Sequence, residues 1–373
     1  MHFRFFLAAL AAALLPIATQ AQWWNSADPT PLKLRGTEFA PKVVYNRAMR
    51  DTAYMEANAA LVDGKFEKLD RMYDDFLANG GLRRTDGGWM LESFQSLFGD
   101  RCHTMDDAAA RAELAKWAAA RPDSKLRPVV EVMTLQCQAW KARGGGYADV
   151  VPDEAFKIFR EKLRQGAKML GETEAAGKDS PLWWWAGLII AGSSGMPAAQ
   201  FDQMFAEATR RFPSYQPLYY TRVNYHLPQW GGNFGAVEDF AQRAAAATAD
   251  KEGQAMYAWI YTDLGYKVPD LFNDSEVSWP KLKKAFEDLN ARYPDEWNKN
   301  LFATFACRAR DKETTGRLLV ELGTMLMCVP PILRATPAAT SNRLVALPTR
   351  ETVTPRSDNA VVTSRDTAPT TSA

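Results

Sequence analysis

"FDQMFAEATRRFP" at 201–213 and "LKKAFEDLNARYP" at 282–294 align without a gap. Phe201, Met204, Phe205, Ala208 and Phe212 in the first match Leu282, Ala285, Phe286, Leu289 and Tyr293 in the second. Both sets follow the i, i+3, i+4, i+7, i+11 rhythm of one helical face. Both segments end in Arg-aromatic-Pro. The residue before a proline is driven out of the helical region, so the helix stops there. A second helical pattern follows at once in each case. The offset of 81 residues is close to two helix-hairpin units of about 40 residues each. Repetition at that spacing predicts an all-α chain, an α-solenoid of antiparallel helix pairs of the tetratricopeptide type.

The rest of the chain reads with the same period. In "KFEKLDRMYDDFLANGG" (65–81), Phe66, Leu69, Tyr73, Phe76 and Leu77 share one face, and Gly80-Gly81 ends it. Helices are expected at about 41–61, 65–79, 87–98, 106–120, 125–142, 152–175, 181–193, 197–212, 215–227, 233–248, 253–265, 278–293, 295–310 and 312–322. Strand-like alternation is nearly absent. The helical-repeat region is expected to span 41–334, with its best internal break at "KARGGGYADVVPDE" (141–154), because three glycines are costly inside a helix.

The chain opens "MHFRFFLAALAAALLPIATQAQWW". Arg4, an apolar run from Phe5 to Ile17 and small residues up to Ala21 follow the order of a secretory signal peptide, expected at 1–21. The run is too short to cross a bilayer, which takes roughly 20 residues. A periplasmic or secreted location is therefore expected. Residues 22–40 read as an extended lead-in. Residues 335–373, rich in Thr, Pro, Ser and Ala, read as a disordered tail. Removing 1–21 takes away one base and no acid, so the 45 basic and 44 acidic residues of the whole chain become equal in number. No basic stripe remains, which argues against nucleic acid as a partner.

Four cysteines, Cys102, Cys137, Cys307 and Cys328, all follow the signal segment. An even number in an exported chain suggests disulfides. No CxxC spacing points to zinc. The helix after Cys102 runs out about 20 Å and the next returns the same distance, which brings Cys137 level with Cys102. A 102–137 bond is expected, with 307–328 as the second if the chain turns back at Gly323.

"YHLPQWGGNFGAVEDFA" (225–241) is the most distinctive stretch. Pro228 ends one helix, Gly231-Gly232 allow a sharp turn, and Asn233 is a good N-cap for the next. Trp230 is then expected to fold onto the joint between the two helices. A functional alternative has Trp230 stacking a sugar or peptide, with His226 or Glu238 in polar contact. Trp230, His226 and Asn233, with Trp89 and Tyr219, form the candidate binding set.

"LVDGKFEKLDRMYDDFLANGGLRRTDGGWMLESF" (61–94), "FPSYQPLYYTRVNYHLPQWGG" (212–232) and "WNKNLFATFACRARDKETTGRLLVELG" (297–323) together resemble the domain of unknown function 4034 family. That family pairs a small helix hairpin and Asp-Gly-Gly-Trp with a later Leu-Pro-x-Trp-Gly-Gly. The resemblance covers about 40–330 and implies a tetratricopeptide-like helical array. It implies no activity, because none is established for the family. This chain departs from it at Gln229, where many members have Arg, and at His226, which is not a family feature.

Other motifs carry less. In "RRTDGGWMLESF" (83–94), Asp86 is expected to cap the following helix. Glu92-Ser93 is superficially similar to the Glu-Ser of lytic transglycosylases, with no further motif to support it. "WWW" (183–185) reads as core, since adjacent residues point about 100° apart on a helix. His103 beside Cys102 is an incidental pair. HExxH, GxSxG, P-loop and GxGxxG patterns are absent, so no metal, cofactor or catalysis is expected. The leading expectation is a protein- or peptide-binding scaffold of the cell envelope. Two alternatives are a polysaccharide hydrolase or lyase on an (α/α)-toroid and an envelope structural or assembly factor.

Overall fold

The computed structural model describes residues 32–34, 37–39, 47–145 and 150–322. The expected signal peptide, the tail at 335–373 and Cys328 lie outside the described residues, and with Cys328 so does the expected 307–328 bond. Within the lead-in, β1 (Leu32–Leu34) and β2 (Thr37–Phe39) pair antiparallel, Leu32 opposite Phe39.

The elements that follow among the described residues are helices: α1 (Arg47–Val62), α2 (Phe66–Leu77), α3 (Glu92–Thr104), α4 (Asp107–Ala120), α5 (Leu126–Arg143), α6 (Asp153–Glu172), a single turn α7 (Glu174–Gly177), α8 (Pro181–Ser193), α9 (Ala198–Arg211), α10 (Gln216–Asn224), α11 (Phe234–Glu252), α12 (Ala255–Gly265), a single turn α13 (Leu271–Asp274), α14 (Trp279–Arg292), α15 (Glu296–Arg308) and α16 (Lys312–Leu322). The helices pack in adjacent pairs: α1 with α2, α5 with α6, α8 with α9, α10 with α11, α12 with α14, and α15 with α16. The first helix of one pair also packs on the first of the next, in the run α1, α3, α5, α8, α10, α12. Pair stacked on pair in this way is the arrangement of an α-solenoid. The Gly144 break falls between α5 and α6, which lie along one another, so it is a turn within a pair and not a domain boundary.

The two aligned segments occupy equivalent positions. Helices α9 and α14 both have 14 residues, and each is the second helix of its pair. Phe201, Met204 and Ala208 are buried on one, and Leu282, Ala285, Phe286 and Leu289 on the other. Phe212 (φ −128°, ψ 65°) and Tyr293 (φ −128°, ψ 76°) end them in the same non-helical conformation before proline. Helix α4 is a third copy of that stop. It too has 14 residues, and it ends at Arg121 (φ −139°, ψ 74°) before Pro122.

Phe94 and Phe286 are fully buried, and burial stabilises each by about 2–3 kcal/mol. Trp183 and Trp184 are also buried, while Trp185 is half-buried, and Ser180 caps α8 through Leu182 N with Pro181 at the first position. Cys102, in the last turn of α3, is bonded to Cys137, late in α5, with Cα atoms 6.3 Å apart. The bond closes 35 residues of separation and is worth about 3–4 kcal/mol in the chain-entropy picture. Among the described residues no helix is long and apolar enough to cross a membrane.

Candidate functional site

The start of α3 departs from expectation. The helix begins at Glu92, not near residue 87, and Asp86 does not cap it. Residues 82–91 instead form a strap. Arg84 N donates to Gly88 O (2.8 Å), Gly87 N to Arg84 O (3.0 Å), and Arg83 pairs with Trp89 in an isolated antiparallel bridge. The Arg84 side chain is buried. Its guanidinium donates to Asp86 (3.1 Å), Glu92 (3.0 Å) and the Trp89 carbonyl (2.8 Å), so the charge is fully compensated. Asp86 accepts from Gly88 N and Glu92 from Trp89 N, which uses the carboxylates of this motif to shape the turn.

The strap lies across helices far away in sequence. Arg83 donates to Ser214 O (3.1 Å), Glu252 (3.1 Å) and the Tyr293 hydroxyl (3.2 Å), and its guanidinium stands over the Trp89 and Tyr293 rings. Thr85 donates to Asp295 (2.8 Å), and Trp89 Nε1 to Ser214 O (2.8 Å). Two side-chain amides read its backbone: Gln216 Nε2 donates to Gly87 O and Asn298 Nδ2 to Asp86 O, both at 3.0 Å. Gly87 has φ +87°, and a Cβ there would come within 2.8 Å of Trp259 and Tyr293, so only glycine fits. On α3, Gln95 donates to the Tyr215 hydroxyl just before α10 (2.8 Å). Early and late parts of the array thus meet where second helices end and first helices begin, and the side of the first helices turned toward the strap is termed inner.

Helix phase identifies what that face presents beyond the strap. On α8, a Cβ at Gly187 would lie 2.5 Å from Met204 of α9, so Gly187 faces the second layer. Trp185 and Ile189, each about 200° around from it, face inward and are half-buried. On α10, Tyr219 packs on Phe205 and Phe240 of the second layer (5.5 and 6.4 Å between centroids). Tyr220 and Asn224 share the stripe of Gln216 and are half-buried. On α12, Tyr257 and Tyr261 face Glu238 of α11, so Asp263, about 200° from Tyr261, faces inward. Lys267 donates to Asp263 (2.5 Å) and Asn224 (2.7 Å), tying α10 to α12. Burial, with Glu92 and Asp263 nearby, pushes the Tyr220 phenol well above its usual pKa and holds it as a hydrogen-bond donor.

The sequence-selected residues fall in three places. Trp89 is buried in the strap. Tyr219 is buried on the second-layer side, its hydroxyl donating to Pro213 O (2.7 Å). Neither presents a surface. Trp230, His226 and Asn233 meet at the α10–α11 joint. Asn233 caps α11 through Ala236 N (2.8 Å), and Trp230 packs on Tyr225 (5.9 Å). A Cβ at Gly232 would sit 2.1 Å from the His226 carbonyl, so this turn closes only with glycine. The His226 ring lies on Phe240 (5.4 Å), and its Nε2 is buried without a hydrogen-bond partner. Burial, reinforced by Arg222 and Arg243, pushes its pKa down to about 4.

Glu238 is the other buried carboxylate of this region. Tyr257, Tyr261, Gln242 and Lys281 all donate to it, at 2.5–3.1 Å. Burial opposes its charge, but these donors outweigh burial and hold its pKa below the usual carboxylate value. Such a carboxylate is suited to holding three helices together, not to giving up a proton. Among the described residues no group of three His, Cys, Asp or Glu side chains could hold a metal ion. Sequence reading missed Trp185, Ile189, Tyr220, Asn224, Asp263 and Lys267. The available signal was helix phase, since Tyr220 is the residue beside the one selected. No family model matches the chain, and neither a curated protein nor a solved structure is significantly similar to it.

Proposed function

We propose that the chain is an exported helical-repeat protein that binds a protein or peptide, held along the inner face of α8, α10 and α12 beside the strap. Membership of the domain of unknown function 4034 family is part of this proposal. The observation that carries it is the row of half-buried Trp185, Ile189 and Tyr220 on neighbouring first helices, next to the polar Asn224, Asp263 and Lys267. Aromatic side chains with a polar end are among the residue types that dominate binding energy at interfaces. The Cys102–Cys137 bond supports an oxidising compartment, in keeping with the N-terminal apolar segment. The polysaccharide-cleaving alternative fits less well. Glu92 and Asp263, the carboxylates near Tyr220, are engaged by Arg84 and Lys267, and the phenol is a donor, not a base.

The test is affinity capture from envelope extract with the mature chain, repeated with the Trp185→Ala/Tyr220→Ala double variant and with Trp230→Ala. Loss of the captured partner in the double variant, with an unchanged helical circular dichroism signal, is the expected result. Retention there with loss in Trp230→Ala would move the site to the joint.

A further inference from the structure

The last helix pair carries apolar side chains on its outer edge. Helix α16 packs chiefly on α15. Lys299 pairs with Glu321 (3.4 Å), which brings the end of α16 level with the start of α15, so the two run antiparallel. Phe302 and Phe305 lie against Phe286 of α14 (5.3 and 5.2 Å between centroids). Cys307 stands about 140° and 200° around the helix from them, away from α14. Lys299 and Cys307 are the neighbours four residues either side of fully buried Ala303. Four residues turn a helix by about 40° beyond a full turn, so the two flank Ala303 on opposite edges. On α16 the buried row is Thr314 and Leu318. Glu321 lies to one side of that row, and Leu319 and Leu322, both half-buried, lie to the other. Cys307, Leu319 and Leu322 therefore share the edge opposite the ion pair.

Cys307 is disulfide-bonded, and Cys102 and Cys137 are bonded to each other, which leaves Cys328 as the one cysteine of the chain to pair with it. Cys307 lies about 12 Å back along α15 from Lys299. Continuing α16 as a helix would carry Cys328 about 9 Å further off. Six extended residues reach about 20 Å, enough to come back if the chain turns at Gly323. The segment 323–334, GTMLMCVPPILR, brings Met325, Leu326, Met327, Val329, Ile332 and Leu333 and no acidic residue.

We propose that the outer edge of α15 and α16 is a docking surface for residues 323–334 of the same chain, which turn back at Gly323, lay Met325–Met327 on Leu319 and Leu322, and are locked by a Cys307–Cys328 disulfide. The bond forms by exchange: the two thiols pass two electrons and two protons to a disulfide oxidant of the compartment, whose sulfurs leave as thiols. The segment caps the array, as terminal repeats do in other solenoids. It uses no residue of the inner face, so it stands or falls apart from the binding reading.

The test uses the full-length chain, alkylated without reductant and then digested. Mass spectrometry is expected to find Cys307 and Cys328 in one linked pair of peptides from monomeric protein. Hydrogen exchange then compares the wild type with Met325→Asp/Leu326→Asp, which keeps both cysteines. Amides of α16 should exchange about tenfold faster or more in the variant, with α10 and α12 unchanged. An alkylated Cys328, or a Cys307 linked to a second copy of the chain, overturns the proposal. So does an intact bond with α16 exchange unchanged in the variant, because the segment is then tethered and not docked. Acceleration spread evenly over all helices overturns it as well, since a cap bears on the pair it covers.

Discussion

The inner face is one surface in two conditions. On α10, Gln216 is buried under the strap with its amide on a backbone carbonyl, while Tyr220 and Asn224, one and two turns further on, are half-buried. On α12, Trp259 is buried under Gly87, while Asp263, and Lys267 just past the helix end, are half-buried. The helices are the same; the difference is whether a segment crosses them. Where the strap crosses, side chains are spent on stability. Where it does not, they stay half-buried.

The largest way to break this contrast is Arg84→Met. It removes a buried guanidinium and leaves Asp86 and Glu92 without their cation, so urea unfolding should show a loss of about 3–5 kcal/mol. A loss below about 1 kcal/mol would mean that the covered half does not depend on the strap.

Acidification separates both halves from the α10–α11 joint. The His226 pKa is depressed to about 4 in the folded protein, against an ordinary value near 6.5 when unfolded. The neutral ring therefore contributes stability that is fully present above about pH 6.5 and is lost as pH falls through about 4, because only the unfolded chain takes up the proton in that window. The loss should reach about 2 kcal/mol after allowing for residual solvent, and His226→Phe should flatten it. A profile unchanged in His226→Phe would assign the pH dependence to other groups.

Asn298→Ala and Tyr220→Phe sharpen the contrast directly. The first removes hydrogen bonds to the carbonyls of Asp86 and Tyr293 and should cost about 1–2 kcal/mol. The second removes a hydroxyl from the open half and should change stability by less than about 0.5 kcal/mol, while weakening partner capture. Equal effects of the two on stability would erase the distinction between covered and open.

Much of the array is legible in the sequence because its signals are local. The apolar rhythm of 201–213 and 282–294, the proline stops and the Asn233 cap each act within a few residues. The third copy of the stop is harder to see because Arg121 stands where the other two have an aromatic, and its spacing from α9 differs from the 81 residues between α9 and α14. The strap resembles the first turn of a helix in sequence because Asp86 and Glu92 look like capping residues. What holds them out of a helix is Arg84 beneath them, together with Ser214, Gln216, Glu252, Tyr293 and Asn298, at separations of 129–212 residues in the longest bonds. Nothing near residue 86 records those partners. On α10, Tyr219 is buried and its neighbour Tyr220 half-buried: the two are chemically alike, and only the placement of α9 and α11 decides which of them is buried.

Stacked-repeat proteins ordinarily gain or lose units freely, because each touches only its neighbours. A tie from Arg83 to Glu252 removes that freedom here. Adding or deleting a helix pair between the strap and Gln216 would carry Gln216, Glu252 and Asn298 away from their strap partners, so the span between these ties has a fixed length.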